Sequence, residues 1–265
     1  MTLGRKELSM ERLNEQKPTR GISAAALRGW GYLFLLLGVI ARAVIQNGLL
    51  NLQGVTTSQL LEALQGSDVM ALATVSLVLQ ALEACGIPIF AFLLAEGFCH
   101  TANYGKYLGR VALVAVLSEI PYNLAMGGSF LSANSRNPAF ALLLGLVLLW
   151  FYRYYGEKTA KHIFIKVIVA LAAILWCGML RIEHGAFTIL MILAAWFTRR
   201  KSIRTLVCAL TAAVGVAFSM LYLTAPISAL AIHFYNDEKG EDSRIFNLLC
   251  YPLMLLAAYF AAMLL

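Results

Sequence analysis

Charged residues are scarce in this sequence. They make up 13% of the 265 residues, 21 basic and 14 acidic, against the ~25% that is usual in soluble domains. Hydrophobic residues make up 60%, and the mean hydropathy is +0.75. Because one membrane-spanning helix needs ~20 apolar residues, a chain of this length has room for eight to ten of them. The composition excludes a soluble domain and predicts an all-α, polytopic helical membrane protein.

The sequence also lacks the alternation of apolar and polar residues that transmembrane β-strands require. The segments 139–152 and 167–180 are nearly unbroken apolar runs, which excludes a transmembrane barrel. The formal net charge of +7 is spread between apolar runs instead of forming a basic domain. The sequence therefore predicts no nucleic-acid partner.

Cysteine motifs are absent as well. The five cysteines include no C-x-x-C pair and no metal-ligand spacing, and each lies inside or beside an apolar segment. We expect them to pack as small apolar residues, and we predict no metal site. No internal repeat or low-complexity stretch is visible.

Two regions follow from the polarity profile. Residues 1–28 are polar and basic, and we expect them to remain as a cytoplasmic tail because no small-residue cleavage site follows the first apolar run. Residues 29–265 are predicted to form one membrane domain of about nine spans. The predicted spans are 29–48, 69–98, 107–125, 138–152, 164–180, 185–198, 205–222, 226–235 and 245–265. The second is long enough to be tilted or broken at Pro88, and the eighth is too short to cross alone and is expected to be re-entrant.

The distribution of basic residues predicts the orientation. Short cytoplasmic loops carry an excess of Lys and Arg. With the N-terminus inside and nine spans, all basic residues except Arg42, Arg136 and Arg181 fall on the cytoplasmic side. The sequence therefore predicts a cytoplasmic N-terminus and an exterior C-terminus.

The densest cluster of ionisable residues is at the end of the second predicted span. It contains Glu96 and His100. On a helix, residues four apart share one face, and Asn103 and Tyr104 follow one turn later. A carboxylate beside an imidazole fixes its tautomer and raises its proton affinity, which suits general base chemistry. The alternative is a helix end that emerges into water without a chemical role.

A second polar group follows in the next span, within Ser118-Glu-Ile-Pro-Tyr-Asn123. Because Pro121 removes a backbone donor, the segment around Glu119, Tyr122 and Asn123 is predicted to form a polar pocket wall. The alternative is an exterior helix end shaped by Pro121 and two glycines. Further along, Arg181, Glu183 and His184 border a short exterior turn, where we expect water to solvate them.

These motifs resemble those of the TraX family of integral membrane proteins. The first stretch carries Pro88-Ile-Phe-Ala-Phe, Glu96-Gly-Phe, His100-Thr, Lys106-Tyr-Leu, Arg110 and Ser118-Glu-Ile-Pro. The C-terminal end adds Tyr235-Asn-Asp-Glu-Lys-Gly and Tyr251-Pro252. The resemblance covers residues 30–265, although hydropathy alone carries the long middle.

The resemblance implies a membrane acyltransferase, since the family's namesake is associated with N-acetylation of a pilin subunit. The implied donor is acetyl-CoA or another acyl-CoA, whose anionic end suits basic groups at a cytoplasmic mouth. These basic groups are Lys106, Arg110, Arg153 and Lys158. Each of them also reads as an ordinary positive-inside anchor.

Two departures from the family pattern bear on activity. Relatives carry an Asp-His pair in the first span, where this chain has Leu36-Leu-Gly-Val-Ile-Ala-Arg42. They carry Arg shortly before the Pro-Ile-Phe segment, where this chain has Glu83. If the first-span His is the base in active relatives, this protein is inactive or uses another His. We hypothesise that Arg42 replaces the lost charge and pairs with Glu83.

The leading expectation is transfer of an acyl group from acyl-CoA to an amine or hydroxyl of a peptide, protein or glycan at a bacterial cell membrane. His100 is the predicted base, oriented by Glu96, with Lys106 and Arg110 holding phosphate. The predicted pocket residues are Tyr104, Glu119, Tyr122, Asn123 and Asn236. Two alternatives are a transporter, suggested by the proline-broken spans, and a non-catalytic membrane partner.

Overall fold

The computed structural model describes residues 21–52, 66–131, 135–157, 159–198 and 201–265. These ranges form helices and no named strand. Most of the predicted tail, residues 1–20, lies outside them. The helices are α1 (Ala24–Val39), continued by a π-helix (Ile40–Leu49), α2 (Ser67–Glu83), α3 (Gly86–His100), α4 (Tyr104–Gly127), α5 (Ala139–Tyr154), α6 (Ala160–Met179), α7 (Gly185–Phe197), α8 (Lys201–Val214), α9 (Ser228–His233) and α10 (Arg244–Met263), with 3₁₀ turns at Gly215–Ala217 and Met220–Ile227.

Five helical runs in these ranges are long and apolar enough to cross a membrane. They are Ala24–Leu49, Ser67–His100, Tyr104–Gly127, Ala160–Met179 and Arg244–Met263. Four shorter apolar helices accompany them, at Ala139–Tyr154, Gly185–Phe197, Ile203–Ala217 and Met220–His233. The prediction of a helical, multispanning protein is thus confirmed, whereas nine complete crossings remain a prediction.

The predicted break in the second span lies just before Pro88. Helices α2 and α3 are interrupted at Ala84 and Cys85. Proline lacks a backbone N–H and cannot bond the carbonyl four residues earlier, which here is that of Ala84. The chain therefore turns at this point, and α3 begins with Pro88 inside its first turn, where a proline is tolerated.

The predicted re-entrant segment is one arm of a hairpin. Residues 203–217 and 220–233 form two short apolar helices that meet at Phe218 and Ser219. The second arm docks on the α2–α3 break, where the hydroxyl of Thr224 donates to the carbonyl of Ala81. The Cys85 thiol donates to the carbonyl of Thr224 at 3.1 Å. The hairpin thereby satisfies polar groups at the break, which lipid cannot do.

The bundle has two ends, which we name by their contacts. At the first end, residues 21–28 pair with residues 234–242: Ile22 N–H donates to Phe234 at 2.7 Å, and Ala24 N–H donates to Glu238 at 2.8 Å. At the second end, Arg136 N–H donates to Arg181 at 2.9 Å, and Glu183 N–H donates to Arg136 at 3.0 Å. Successive helices run between these ends, so residues far apart in sequence meet at each.

Candidate functional site

The predicted Glu96–His100 pair lies at the first end. His100 Nε2 is 3.2 Å from Glu96 Oε2, which confirms their shared face, but 75% of the His100 side chain is exposed. The other Glu96 oxygen accepts from Arg204 Nη1 at 3.2 Å. Arg204 is buried and stacks on the ring of Phe92, 4.7 Å from its centroid. Glu96 therefore fixes a buried cation between α3 and α8 as well as contacting His100.

The other predicted residues near this end are dispersed. Lys106 and Arg153 are exposed, and the hydroxyl of Tyr104 donates to the carbonyl of Leu146 at 3.2 Å. Asn236 bonds the carboxylate of Glu238 at 3.1 Å. Lys158 lies outside the described residues.

The remaining predicted residues lie toward the second end. Glu119 accepts from Arg136 Nη1 at 3.1 Å, and Asn123 donates to the carbonyl of Phe130 at 3.2 Å. Fifteen residues of α4 separate Tyr104 from Glu119, which is about 22 Å of helix. The predicted base pair, Glu96 and His100, therefore does not share one chamber with the predicted pocket residue Glu119, because the two lie at opposite ends of α4.

A cavity of about 520 Å³ opens among α1, α3, α4, α5, α7 and α10. Its wall is mainly apolar, with Ile87, Phe90 and Leu93 from α3. Basic side chains lie at the first end of this wall, together with the carboxylate of Asp242, which pairs with Arg28 at 2.5 Å. We call these basic residues the mouth of the cavity: Arg28, Arg110, Lys239 and Arg244. Among the predicted donor-binding residues in the described ranges, Arg110 alone lines this cavity.

Away from the basic residues, the cavity ends at a surface that we call the floor. It is lined by Pro138, Ala139, Thr188 and Tyr251. The Tyr251 hydroxyl donates to Asn137 Oδ1 at 3.3 Å, and the Asn137 amide donates to Ser118 at 2.6 Å. The cavity thus joins a basic mouth to a floor that offers hydroxyl groups.

Beyond the floor lies a buried polar cluster. Arg42 bonds Glu83 Oε1 through Nη2 at 2.5 Å, and its Nη1 donates to Glu183. The second oxygen of Glu183 accepts from the hydroxyl of Tyr122 at 2.6 Å, and that hydroxyl also lies 3.0 Å from Ser135 Oγ. The hypothesised Arg42–Glu83 pair is confirmed, with Glu183 as a third member. We call Arg42, Glu83, Tyr122 and Glu183 the ion cluster.

His184 adjoins the ion cluster. Its Nδ1 is 2.6 Å from the hydroxyl of Tyr222, and its Nε2 is 3.7 Å from Glu183 Oε1. That Nε2 is buried and has no hydrogen-bond partner among the described residues. The expectation that water solvates Glu183 and His184 is wrong, because the 180–184 turn is tucked against α4 and the hairpin.

The backbone around the ion cluster is unusual. Arg42 lies in a ten-residue π-helix, a conformation that is rare and found mostly at functional sites. Arg181 and His184 have φ values of 52° and 57°, in the left-handed region that few non-glycine residues adopt. Such strain persists where the surrounding structure enforces it, typically at functional sites.

Charges in the 180–184 turn shift the pKa values there. Burial raises the pKa of Glu183, but the Arg42 guanidinium, the neighbouring His184 and the bonds from Arg42 and Tyr122 lower it further, to about 2. Burial lowers the pKa of His184; Glu183 opposes this and Arg42 adds to it, so that the net shift is downward. The turn therefore presents a carboxylate beside a neutral imidazole at neutral pH.

Sequence reasoning identified Arg42 and Glu83 but missed Glu183, Tyr222 and His184 as one group. The available signal was the cost of ionisable groups in apolar surroundings, which applies to Glu183 as much as to Glu83. That cost was overlooked for Glu183 because it lies next to a predicted loop. No feature of the sequence marked Tyr222, since a single tyrosine in an apolar run is ordinary.

Comparison with known proteins decides the family. The sequence model described as TraX protein matches residues 64–261, which is 198 of the 265 residues. The chain belongs to the TraX family. A relative, the probable fimbrial assembly protein FimC, serogroup H1, of Dichelobacter nodosus, is 27% identical over 179 residues, covering 58% of this chain and 69% of the relative. No solved structure matches the chain.

Family membership and the helices agree on one coarse conclusion. This TraX-family chain is a multi-pass membrane protein. The match includes Glu83, Tyr122, Glu183 and His184 but begins after Arg42. The first-span segment, where a departure from the family pattern is expected, is therefore outside the matched region.

Proposed function

We propose that this TraX-family protein is a membrane acyltransferase that takes its acyl group from acetyl-CoA or another acyl-CoA bound in the cavity. One observation carries the proposal: the cavity joins a basic mouth to an apolar body and a hydroxyl-bearing floor. An acyl-CoA has the same polarity sequence, with phosphates at one end and a thioester on an uncharged arm at the other.

The mouth suits the anionic end of that donor. Arg28, Arg110, Lys239 and Arg244 face a single carboxylate, Asp242, so the local balance favours anions. Guanidinium groups bind phosphate through paired, charge-assisted hydrogen bonds. The predicted roles of Lys106 and Arg153 do not enter this proposal, because neither lines the cavity.

The proposed orientation places the mouth in the cytoplasm, where acyl-CoA is made. Among the described residues, most basic side chains lie toward the first end, whereas Arg136 and Arg181 lie at the second. Because short cytoplasmic loops are rich in Lys and Arg, this distribution supports a cytoplasmic N-terminus and nine passes in a bacterial cell membrane.

The proposed acceptor is an amine or hydroxyl of a peptide, protein or glycan. The name of the Dichelobacter relative, a probable fimbrial assembly protein, makes a fimbrial subunit the first acceptor to test. Suitable probes are a peptide with a free N-terminal amine, its N-acetylated form as a blank, a serine peptide and a simple sugar.

The test measures acetyl-CoA binding and CoA release by purified protein with each acceptor. Replacing Arg110 with Gln removes one charge-assisted contact, typically 1.5–3 kcal/mol, and is expected to weaken acetyl-CoA binding on the order of tenfold. Lys161→Gln removes a charge from an exposed site that does not line the cavity, and is expected to leave binding unchanged.

Contrary outcomes point to the two alternatives. Equal binding by wild type and Arg110→Gln would remove the cavity as the donor site. A solute that accumulates in proteoliposomes without CoA release would favour a transporter. Absence of acetyl-CoA binding by the wild type, with stable capture of another membrane protein, would favour a non-catalytic partner.

A further inference from the structure

We infer that His184, and not His100, is the general base of the acyl transfer. This inference rests on the proposed function, because it needs a thioester in the cavity. His184 has the free nitrogen that a base requires, since its Nδ1 is held by Tyr222 and its buried Nε2 has no hydrogen-bond partner in the described ranges.

The position of His184 relative to the cavity floor supports this role. Thr188, which lines the floor, lies one helical turn after His184 and donates its hydroxyl to the His184 carbonyl at 2.9 Å. A second connection runs through the 135–139 segment. Pro138 and Ala139 line the floor, while Ser135 bonds Tyr122 of the ion cluster.

The helix α1 and the π-helix that continues it set these levels along the bundle. Arg28 lies at the mouth and Leu35 in the cavity wall, and Arg42 holds the ion cluster; they are spaced seven residues apart. Seven residues advance a helix by about 10 Å and return close to the same face. A donor with its phosphates at Arg28 therefore extends toward the level of the ion cluster.

The partners of His184 keep it oriented. The inference requires the tautomer in which Nδ1–H donates to the Tyr222 hydroxyl, 2.6 Å away, because Nε2 then carries the lone pair. Glu183 stabilises the imidazolium that forms during transfer. Arg42 and Glu83 hold the Glu183 carboxylate in place. Neither histidine lines the cavity itself, but His184 lies one turn before Thr188 of the floor, whereas His100 is 75% exposed at the first end.

The step balances without any further reactant. The acceptor amine or hydroxyl attacks the thioester carbonyl carbon, and its proton passes to His184 Nε2. A new C–N or C–O bond forms as the C–S bond breaks. The imidazolium then returns the proton to the CoA thiolate, which leaves acylated acceptor, free CoA and a neutral imidazole. The donor enters from the first end and the acceptor from the second, where the His184 side chain is 17% exposed although its Nε2 is buried.

The decisive variant is His184→Asn. Since His184 has a φ of 57°, alanine would add backbone strain, whereas asparagine tolerates this conformation and keeps a hydrogen-bonding side chain. His233→Asn is the matched control, since His233 is exposed at the first end. We expect His184→Asn to bind acetyl-CoA within twofold of wild type and to lose at least ~100-fold in kcat, in the range for removal of a general base.

Three outcomes overturn the inference. If His184→Asn turns over at the wild-type rate, His184 is not the base, but the cavity can still be the donor site. Loss of turnover in His100→Asn with normal turnover in His184→Asn assigns the base to His100. Failure of the wild type to bind acetyl-CoA or release CoA defeats the proposed function itself, and the inference with it.

A pH profile of the wild type gives a test that does not depend on any variant folding. The charged groups that act on His184 are Glu183 and Arg42, and the Tyr222 hydroxyl contacts its Nδ1. Glu83 bonds Arg42, and Tyr122 bonds Glu183. Protonation of His184 removes the base, so kcat is expected to fall about tenfold per pH unit on the acid side of its pKa. A kcat with no decline on the acid side at any pH at which the protein stays folded would overturn the role.

Discussion

The carboxylate of Glu83 occupies the space that a side chain at position 38 would fill. A Cβ at Gly38 would lie 1.9 Å from Glu83 Oε2 and 2.0 Å from its Cδ. Since both residues are buried, neither can move into open space. Gly38 on α1 therefore allows α2 to bring Glu83 within reach of Arg42, four residues further along.

Gly38→Ala is expected to destabilise the protein by about 1–3 kcal/mol, the usual range for an overpacked core. The methyl group would push Glu83 away from Arg42 and leave that cation with one carboxylate fewer. Thermal unfolding in detergent measures the effect. Gly29→Ala, in the same helix with no atom within 4 Å of the added Cβ, serves as control, and equal melting of both variants would contradict this account.

Arg42→Met is expected to cost about 3–5 kcal/mol, because it leaves two carboxylates buried without their cation. Adding Glu83→Gln should recover part of the loss, since one of the uncompensated charges is then removed. Arg136→Met is the control. In its pair with Glu119 the Arg136 side chain is 48% exposed and the Glu119 side chain 15%, so solvent screens the cation and the expected loss is smaller, about 1 kcal/mol. Equal losses of stability from both arginine variants would show that the ion cluster does not stabilise the fold more than the Arg136–Glu119 pair.

Much of the fold was predictable because lipid imposes a simple rule. Apolar runs of sufficient length identify the spans, and the missing N–H of Pro88 gave the break between α2 and α3. The hairpin was harder. Its turn lies at Phe218 and Ser219 instead of the predicted 223–225 segment, because the second arm begins as a 3₁₀ helix that hydropathy does not reveal.

The candidate site was predictable only in part. The Arg42–Glu83 pair followed from two opposite charges in adjacent spans. His184 did not follow, because its role depends on a turn folding back against α4 and the hairpin, which is a tertiary arrangement. Glu96 and His100 share a helix face as expected, but local spacing could not show that Arg204 would engage the same carboxylate.

Arg204→Lys tests that buried cation at the first end. Arg204 bonds Glu96 at 3.2 Å and stacks on Phe92 and Tyr235. Lysine keeps the charge but loses the planar group that stacks and bonds together, so we expect a loss of about 1–2 kcal/mol. Arg153→Lys, at an exposed site with a long 6.0 Å ring contact, should cost less than about 0.5 kcal/mol. Unfolding in detergent compares the two.

The stability of the fold should depend on pH through His184. Burial and Arg42 outweigh Glu183 and hold its folded pKa below the ordinary 6.5, so the unfolded chain binds a proton first as the pH falls. The stabilisation is therefore complete above pH 6.5 and declines as the pH drops toward the folded pKa. The difference between the melting temperatures at pH 7.5 and pH 5.5 should be larger in the wild type than in His184→Asn. The pKa of Glu183, about 2, lies well below pH 5.5. Its protonation therefore lowers the stability of both proteins at lower pH. An identical pH dependence in the two proteins would mean that His184 is not held neutral in the folded state, and a base that is already protonated cannot accept the acceptor's proton.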